Sequence, residues 1–252
     1  MDGSYRGQLD EEIQSHLGWA QLEEFGALIN NRALKRDELV TFLASTGCFF
    51  KEIPGGILAL ALRVSDDWMD DDHFDAVENG AKILYSAVDE YGIDTNLQIF
   101  TRTHHQLFLD MCKRMGISKA ELFDKSNIID EAWPLAKLTH DYYRTGSVAR
   151  GVGFHYSSER SSDREFVLCY EGLTKFVDRY TLKDDKPEEN DLGLLNFYYI
   201  HTLVEPMHGN SSAESVQLYS SNPDNRRQVL DGAMAWMKYY GEFWAALTRK
   251  FS

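Results

Sequence analysis

The chain has 252 residues, of which 43% are apolar and 13% aromatic, and this composition excludes a wholly disordered protein. Its formal net charge of -14 disfavours a nucleic acid or an anionic membrane as partner, because both would repel an acidic surface that lacks a basic patch. Met1 to Glu12 resembles neither a signal peptide nor a transit peptide. The longest apolar stretch, Ile57 to Leu62, is too short to span a membrane, so we expect a soluble, cytoplasmic protein.

Apolar residues recur three and four positions apart along the chain, and alternating runs of β-branched residues are nearly absent. The sequence therefore predicts an all-α fold in a single domain covering residues 1–252. Ser118 with Glu121 forms a capping box, and Asn222 before Pro223 predicts the start of the last helix. Helices are predicted over roughly 10–32, 37–52, 57–70, 74–91, 98–115, 118–124, 127–144, 163–181, 191–208, 211–220 and 223–251.

Three segments interrupt this helical pattern. The sequence Pro54-Gly55-Gly56 predicts a tight corner between two apolar helices. The stretch from Thr145 to Asp163 is rich in glycine and serine and predicts the longest irregular connection, while Lys183 to Asn190 predicts a charged loop. Either of these two could serve as a lid. The three cysteines are widely spaced, which is typical of reduced, buried thiols rather than of disulfides or a zinc site.

The segment Leu194 to Asn210 carries the most informative pattern. At about 100° per residue, His201, Glu205 and His208 fall within about 60° of one another on an apolar face. Burying two imidazoles and a carboxylate there is unfavourable without partners, and a metal ion is the partner that satisfies all three. Histidines that simply form hydrogen bonds in a helical core are the alternative. Pro206 lies inside the pattern and predicts a kink or a helix end.

A second inward-facing stripe lies in the first half of the chain. His104, Phe108, Met111 and Met115 follow helical spacing, so His104 is expected to point into the core. His105 lies about 100° away around the same helix. The stripe therefore favours His104 as the ligand candidate, although a lone histidine on an apolar face is more often a core residue.

Glu205 and His208 form a Glu-x-x-His pair, the unit that ferritin-like di-iron bundles use twice. The chain has no second copy, which favours another helical scaffold with a different ligand layout. The sequence HTLVEPMHG resembles the His-x-x-x-Asp-x-x-His hallmark, often followed by Gly, of the heme-oxygenase-like dimetal oxidases. Glu205 stands at the usual Asp, which leaves its mono- or bidentate mode open.

The resemblance spans about Val77 to Gly209. The sequence CYEGLTKFVDRY is similar to the family's aromatic-Glu helix that ends in Arg-Tyr, and this similarity assigns Glu171, although Glu171 lies off the apolar arc of its own helix. DEYG and HHQLF are similar to the two motifs of the first half and assign Glu90 and His104. The interval between these two residues is longer than the family pattern, which predicts an insertion at Gly92 to Asn96.

The resemblance implies a heme-oxygenase-like helical bundle and a non-heme di-iron oxidoreductase with O2 as cosubstrate. The implied reaction is N-oxygenation, desaturation, fragmentation or nitrile formation on a small amine or amino acid in specialised metabolism. An external electron donor and a homodimer are compatible with it. Tyr142, Tyr198 and Arg150 are predicted to face the substrate. The ligands implied for two iron ions, as Fe2+, are Glu90, His104, Glu171, His201, Glu205 and His208.

Other classes of function remain open. A metal-free enzyme that resembles the thiaminase-like or quinone-cofactor-synthase branches of the same superfamily would scatter the six residues about an organic-ligand pocket. A helical binding module without catalysis would use His201, Glu205 and His208 as a satisfied polar network. Heme binding would need a proximal histidine near the N-terminus, for which His16 is the candidate.

Overall fold

The computed structural model describes residues 5–67, 73–94, 99–179 and 193–252, and the predicted charged loop Lys183 to Asn190 lies outside the described residues. Within these ranges the chain is almost entirely helical, which confirms the predicted all-α fold. The helices are α1 (Tyr5–Ser15), α2 (Leu17–Asn31), α3 (Arg36–Phe50), α4 (Ile53–Ser65), α5 (His73–Glu90), α6 (His104–Arg114), α7 (Lys119–Phe123), α8 (Ala132–Arg144), α9 (Val148–Arg179), α10 (Asn196–Tyr219) and α11 (Pro223–Phe251). A short 3-10 helix spans Lys125–Asn127, and two strands are β1 (Ile93–Asp94) and β2 (Ile99–Phe100).

The three longest helices, α9, α10 and α11, form the centre of the bundle. Helix α11 packs along α9 and α2, α10 packs against α9 and α5, and α4 packs against α5 and α8. Their buried side chains join into one hydrophobic core, which contains the rings of Trp236, Tyr240 and Trp244. Inward-facing residues of α5, α9 and α10 therefore meet inside the bundle.

Helix α9 corrects the prediction that Thr145 to Asp163 is irregular, because it runs unbroken from Val148. The glycines that suggested a loop allow close helix packing instead: a β-carbon at Gly153 would collide with the main chain of Val229 on α11. The hydroxyl of Ser161 donates a hydrogen bond within the helix, to the carbonyl oxygen of Ser157 one turn earlier, at 2.9 Å. A composition typical of loops thus belongs to a helix that packs closely against α11.

Helix α10 also runs further than predicted. It continues through Pro206 and across the break expected after residue 208. Pro206 lacks the N–H that would bond the carbonyl oxygen of Thr202, but it lies on the exposed face, where water can reach that oxygen. The three ligand candidates of α10 therefore stand on one continuous helix.

The insertion predicted between Glu90 and His104 contains a β-hairpin, since β1 and β2 pair antiparallel. Gly92, in the turn between α5 and β1, has φ at 67°, and a β-carbon there would collide with the main chain of Arg102. The hairpin returns the chain toward the end of α5. As a result α6 begins with His104 in contact with Glu90, the last residue of α5.

The predicted helix starts are confirmed where a capping residue was identified. The hydroxyl of Ser118 accepts a hydrogen bond from the main-chain N–H of Glu121 at 3.2 Å, and Asn222 caps α11 through the N–H of Asp224 at 2.8 Å. The corner predicted at Pro54-Gly55-Gly56 is wrong in position, because these three residues lie inside α4 and the turn is at Lys51 and Glu52, just before that helix. Local capping chemistry is thus read correctly from the sequence.

The three cysteines, Cys48, Cys112 and Cys169, are buried and free, as predicted. Burial raises the pKa of the Cys112 thiol to about 12, which is typical of an inert structural thiol. None of the helices in the described ranges has the length and apolar character needed to cross a membrane.

Candidate metal centre

Four helices bring six buried side chains with metal-binding chemistry into the core, as two groups of three. The inward direction predicted for the three residues of α10 is confirmed by their burial. The six side chains are Glu90 at the end of α5, His104 at the start of α6, Glu159 on α9, and His201, Glu205 and His208 on α10.

The first triad consists of Glu90, His104 and His201, whose ligand atoms lie within 4.8 Å of one another. Nδ1 of His104 lies 3.0 Å from Oε1 of Glu90, and Nε2 of His201 lies 3.6 Å from the same oxygen. The Nδ1–H of His201 donates to the carbonyl oxygen of Phe197 at 2.6 Å, so Nε2 is free to bind a metal. Phe166 stacks on the His201 ring, with centroids 4.0 Å apart, and fixes its plane.

The second triad consists of Glu159, Glu205 and His208. Nδ1 of His208 lies 3.5 Å from Oε2 of Glu159 and 3.9 Å from Oε2 of Glu205. The Nε2–H of His208 donates to Oδ2 of Asp89 at 2.9 Å, which turns Nδ1 toward the two carboxylates. Carboxylates outside a metal centre orient its histidines in this way. His155 supports Glu159 from the other side, with Nδ1 3.3 Å from Oε1.

The two triads are close neighbours. His201 and Glu205 are one helical turn apart, about 6 Å along the axis of α10. Both triads border one small cavity, in which the centre of a water-sized sphere can move through about 30 Å³. The triad members that line this cavity are Glu90, Glu159, His201, Glu205 and His208.

The charges of the second triad are strongly coupled. Burial raises the pKa of Glu205 well above its ordinary value, and the neighbouring charge of Glu159 raises it further. Burial also raises the pKa of Glu159, but the charges of His155 and His208 outweigh burial and hold that pKa below its ordinary value. Burial lowers the pKa of His208, yet Asp89 and Glu159 outweigh it and raise the pKa to about 11. Without a metal, His208 is therefore protonated near neutral pH, and Glu205 keeps its proton to a higher pH than an ordinary carboxyl group.

The first triad holds its protons differently. Burial raises the pKa of Glu90, but His104 and His201 outweigh burial and hold it well below the ordinary value. Burial and the nearby charge of His104 lower the pKa of His201 to about 4, in spite of Glu90. His201 is thus a neutral imidazole beside a carboxylate at neutral pH, which is the state that binds a metal.

These protonation states predict that metal binding releases protons. A metal must displace the Nδ1 proton of His208 and any proton that Glu205 holds, so we expect the release of at least about one proton per chain at pH 7 and weaker binding as the pH falls. The release can be measured by pH-stat titration of metal-free protein with Fe(II) under anaerobic conditions. Glu205→Gln lacks the carboxyl proton and also loses a donor of the second triad, so its proton release should fall well below that of the wild type. Binding without proton release would contradict these assignments.

The donor set fits a pair of divalent first-row metal ions. Oε2 of Glu90, Oε2 of Glu205 and Nε2 of His201 are buried and have no hydrogen-bond partner among the described residues. Leaving such atoms unpaired in a core costs about 1–3 kcal/mol each. Three carboxylates and three imidazoles, with no cysteine in either triad, suit a metal that takes mixed oxygen and nitrogen ligands. A metal bound at each triad would satisfy all three atoms.

Glu159 replaces Glu171 in the predicted ligand set. The structure exposes Glu171 on the surface of α9, about 18 Å along the helix axis from Glu159. The structure thus places Glu171 outside both triads, in agreement with the helical spacing that put it off the apolar arc. Five of the six predicted ligands belong to the two triads, and Glu171 does not.

The three residues predicted to face the substrate lie outside the lining of the cavity. Arg150 is exposed and pairs with Asp231 at 3.3 Å. Tyr142 stacks on Phe154, and Tyr198 is fully buried among core aromatic rings. Proximity in sequence to the ligand helices therefore did not predict which residues border the cavity.

Residues that the sequence analysis missed complete the centre. Asp89 and His155 hold two of the ligand candidates from outside the triads. His155 and Glu159 are four residues apart and share one face of α9. This spacing would have indicated the pair if the segment had been predicted to be a helix. Asp89 precedes Glu90 in the sequence, but its contact with α10 is visible only in the fold.

His16 has a local structural role. Its Nδ1 accepts a hydrogen bond from the main-chain N–H of Gly18 at 2.9 Å and so caps α2. Because this nitrogen caps a helix, His16 does not have the arrangement of an inward-facing heme ligand. The helix predicted over 10–32 is accordingly divided at this residue into α1 and α2.

Comparison with known proteins identifies the architecture. No protein-family model matches the chain, and no curated protein matches it either. A domain of unknown function with a heme oxygenase-like fold from Shewanella denitrificans OS217 aligns with a TM-score of 0.69 at 10% identity, over 97% of this chain and 92% of that one. Two structures of a CADD-like protein of unknown function from Nostoc punctiforme PCC 73102 align with TM-scores of 0.68 and 0.64, at 15% and 17% identity. They cover 98% of this chain and 96% and 94% of theirs. The chain therefore has the heme-oxygenase-like fold.

Proposed function

We propose that the protein is a non-heme di-iron oxidoreductase that uses dioxygen to oxidise a small amine or amino acid. The observation that carries this proposal is the pair of buried triads, each with carboxylate and imidazole donors, around one cavity. Iron is the favoured metal because the donor set lacks thiolates and because a redox reaction needs a metal that changes oxidation state. Glu90, His104 and His201 would hold one ion, and Glu159, Glu205 and His208 the other.

When bound, the two irons would supply the activation of dioxygen and the transfer of electrons from the substrate. The chain itself supplies ligands, their orientation and an enclosed site. Phe166 and Phe197 pack on the His201 ring, with centroids 4.0 and 4.6 Å away, and keep water from that side of the first triad. Asp89 is partly exposed and bonds His208, so it offers a route for the His208 proton toward solvent.

The cellular setting is part of the proposal. Three free, buried cysteines suit a reducing compartment such as the cytoplasm, where ferrous iron is also retained. An external electron donor would return the metals to the ferrous state after a turnover that leaves them oxidised. The substrate is expected to be small, because the cavity beside the triads is about 30 Å³.

Oxygen consumption tests the proposed activity. We expect protein loaded anaerobically with Fe(II) to consume dioxygen faster than the same concentration of free Fe(II), and to accelerate further with members of a panel of amines and amino acids. A size-matched panel of alcohols and carboxylic acids serves as the control. Equal rates with loaded protein and with free iron would contradict an oxidoreductase function.

A further inference from the structure

The cavity beside the triads is also lined by an acidic residue that belongs to neither triad. Glu165 lies on α9 six residues after Glu159, about 9 Å further along the helix axis, and lines the same cavity. It is only 4% exposed. The hydroxyl of Tyr240 donates to its Oε2 at 2.6 Å, and no lysine, arginine or histidine of the described ranges pairs with it.

A buried carboxyl group without a cation is unusual, because the charged form loses its hydration and gains little in return. Elsewhere in this chain a buried carboxylate is properly paired: Glu38 accepts hydrogen bonds from the Arg32 guanidinium at 2.7 and 2.9 Å. Burial raises the pKa of Glu165 to about 7, and the Tyr240 hydroxyl offsets this only in part. A cation that entered the cavity would supply the missing partner.

The walls beside Glu165 also suit a cation. Phe166 and Trp236 line the cavity with it. The indole N–H of Trp236 donates to Ser161 at 2.8 Å, so the ring is held in place. Aromatic faces attract ammonium ions, and a carboxylate flanked by aromatic rings is a common means of recognising organic amines. No lysine or arginine lies among the described residues that line the cavity, and the protonated His208 there is already paired with Asp89 and Glu159, so a carboxylate ligand would find no free cation.

We propose that Glu165, with Phe166 and Trp236, forms the subsite for the ammonium group of an organic amine that enters the cavity beside the two triads. This inference rests on the proposed function, in that it assigns a position to the nitrogen of the proposed substrate. The amine N–H groups donate to the Glu165 carboxylate, and the attached carbon then extends toward the triads.

Three small probes of similar size test the subsite: ethylammonium, ethanol and acetate. Their dissociation constants are measured by equilibrium dialysis, with both metal-free and Fe(II)-loaded full-length protein. We expect ethylammonium to bind at least about 10-fold more tightly than ethanol, since it forms a charge-assisted hydrogen bond. Acetate should bind weakest to the metal-free protein.

Variants locate the binding. Glu165→Gln keeps the size of the side chain and should weaken ethylammonium binding about 10- to 100-fold, while ethanol binding stays unchanged. Glu171→Gln, on the exposed face of the same helix, is the matched control and should have no effect. Tyr240→Phe removes the neighbouring hydroxyl but keeps the carboxylate, so the preference for the cation should remain.

The inference is overturned if ethylammonium fails to bind, if ethanol or acetate binds metal-free protein as tightly, or if Glu165→Gln keeps the cation preference. The comparison of the three probes on the wild-type protein tests the inference even if Glu165→Gln does not fold. Iron content is measured on the same samples. Protein that binds iron but not ethylammonium would refute the subsite and leave the proposed function standing. Protein that binds ethylammonium but no iron would support the subsite and refute the proposed di-iron function.

Discussion

Replacing Glu159 with glutamine is expected to remove one of two bound irons and weaken metal binding at the second triad more than about 100-fold. Glutamine has nearly the same shape but carries no negative charge, and Glu159 is one of only three donors in that triad. Because the other triad keeps all its donors, iron content should fall from about two to about one per chain. Atomic emission analysis of dialysed, anaerobically loaded protein measures this directly.

Glu171→Gln is the matched control for this variant. It makes the same chemical change on the same helix, but the side chain is exposed and belongs to neither triad. Its iron content should equal that of the wild type. The circular dichroism and thermal midpoint of each metal-free variant show whether a loss of iron comes from unfolding. Loss of iron in Glu171→Gln with retention in Glu159→Gln would reverse the assignment made from the structure.

Metal removal is expected to lower the thermal midpoint by about 5 to 10 °C. Ions that bind only the folded chain stabilise it by about 2.7 kcal/mol at a concentration 100 times the dissociation constant, and a chain of this size gains about 2–4 °C per kcal/mol. The gain arises because a metal satisfies buried donors that otherwise have no partner, including Oε2 of Glu90 and Nε2 of His201. Anaerobic differential scanning calorimetry with and without Fe(II) measures the shift.

Calcium is the control for this measurement. It prefers oxygen ligands and six to eight of them, so a site with three imidazoles should bind it poorly and the midpoint should stay unchanged. A midpoint that rises equally with calcium would indicate unspecific binding to the acidic surface. A midpoint that does not rise with Fe(II) would indicate that the triads are polar networks without a metal.

The α10 part of the centre could be predicted from the sequence because it depends on one helix alone. His201, Glu205 and His208 share a face by helical spacing, and spacing on a single helix is a local property. His104 was predicted in the same way, from its stripe of apolar neighbours. The heme-oxygenase-like fold followed from the resemblance that these residues carry, and the aligned structures confirm it.

Glu159 could not be predicted because its helix was interpreted as a loop. Gly153, six residues before it, accommodates α11, a helix more than 50 residues later, and that contact is absent from any local window of sequence. The motif similarity then moved the assignment by about three turns to Glu171. Glycine therefore marks two different things, chain freedom and close packing, and only tertiary structure distinguishes them.

The cavity lining was the least predictable part. Its walls come from α3, α4, α5, α9, α10 and α11, so no single segment shows the pattern. Tyr142, Tyr198 and Arg150 were chosen for their position near the ligand helices, but a helix presents only a fraction of its residues to any one cavity. Glu165 and Trp236 border the cavity because α9 and α11 pack against each other, which depends on the whole fold.

The iron content of the wild-type protein tests the central claim most directly. Metal-free protein is loaded with Fe(II) under anaerobic conditions, freed of excess metal, and analysed for iron per chain. The two triads predict a value close to two. A value near zero would contradict a dinuclear centre and would favour a metal-free enzyme or a binding protein with the same fold.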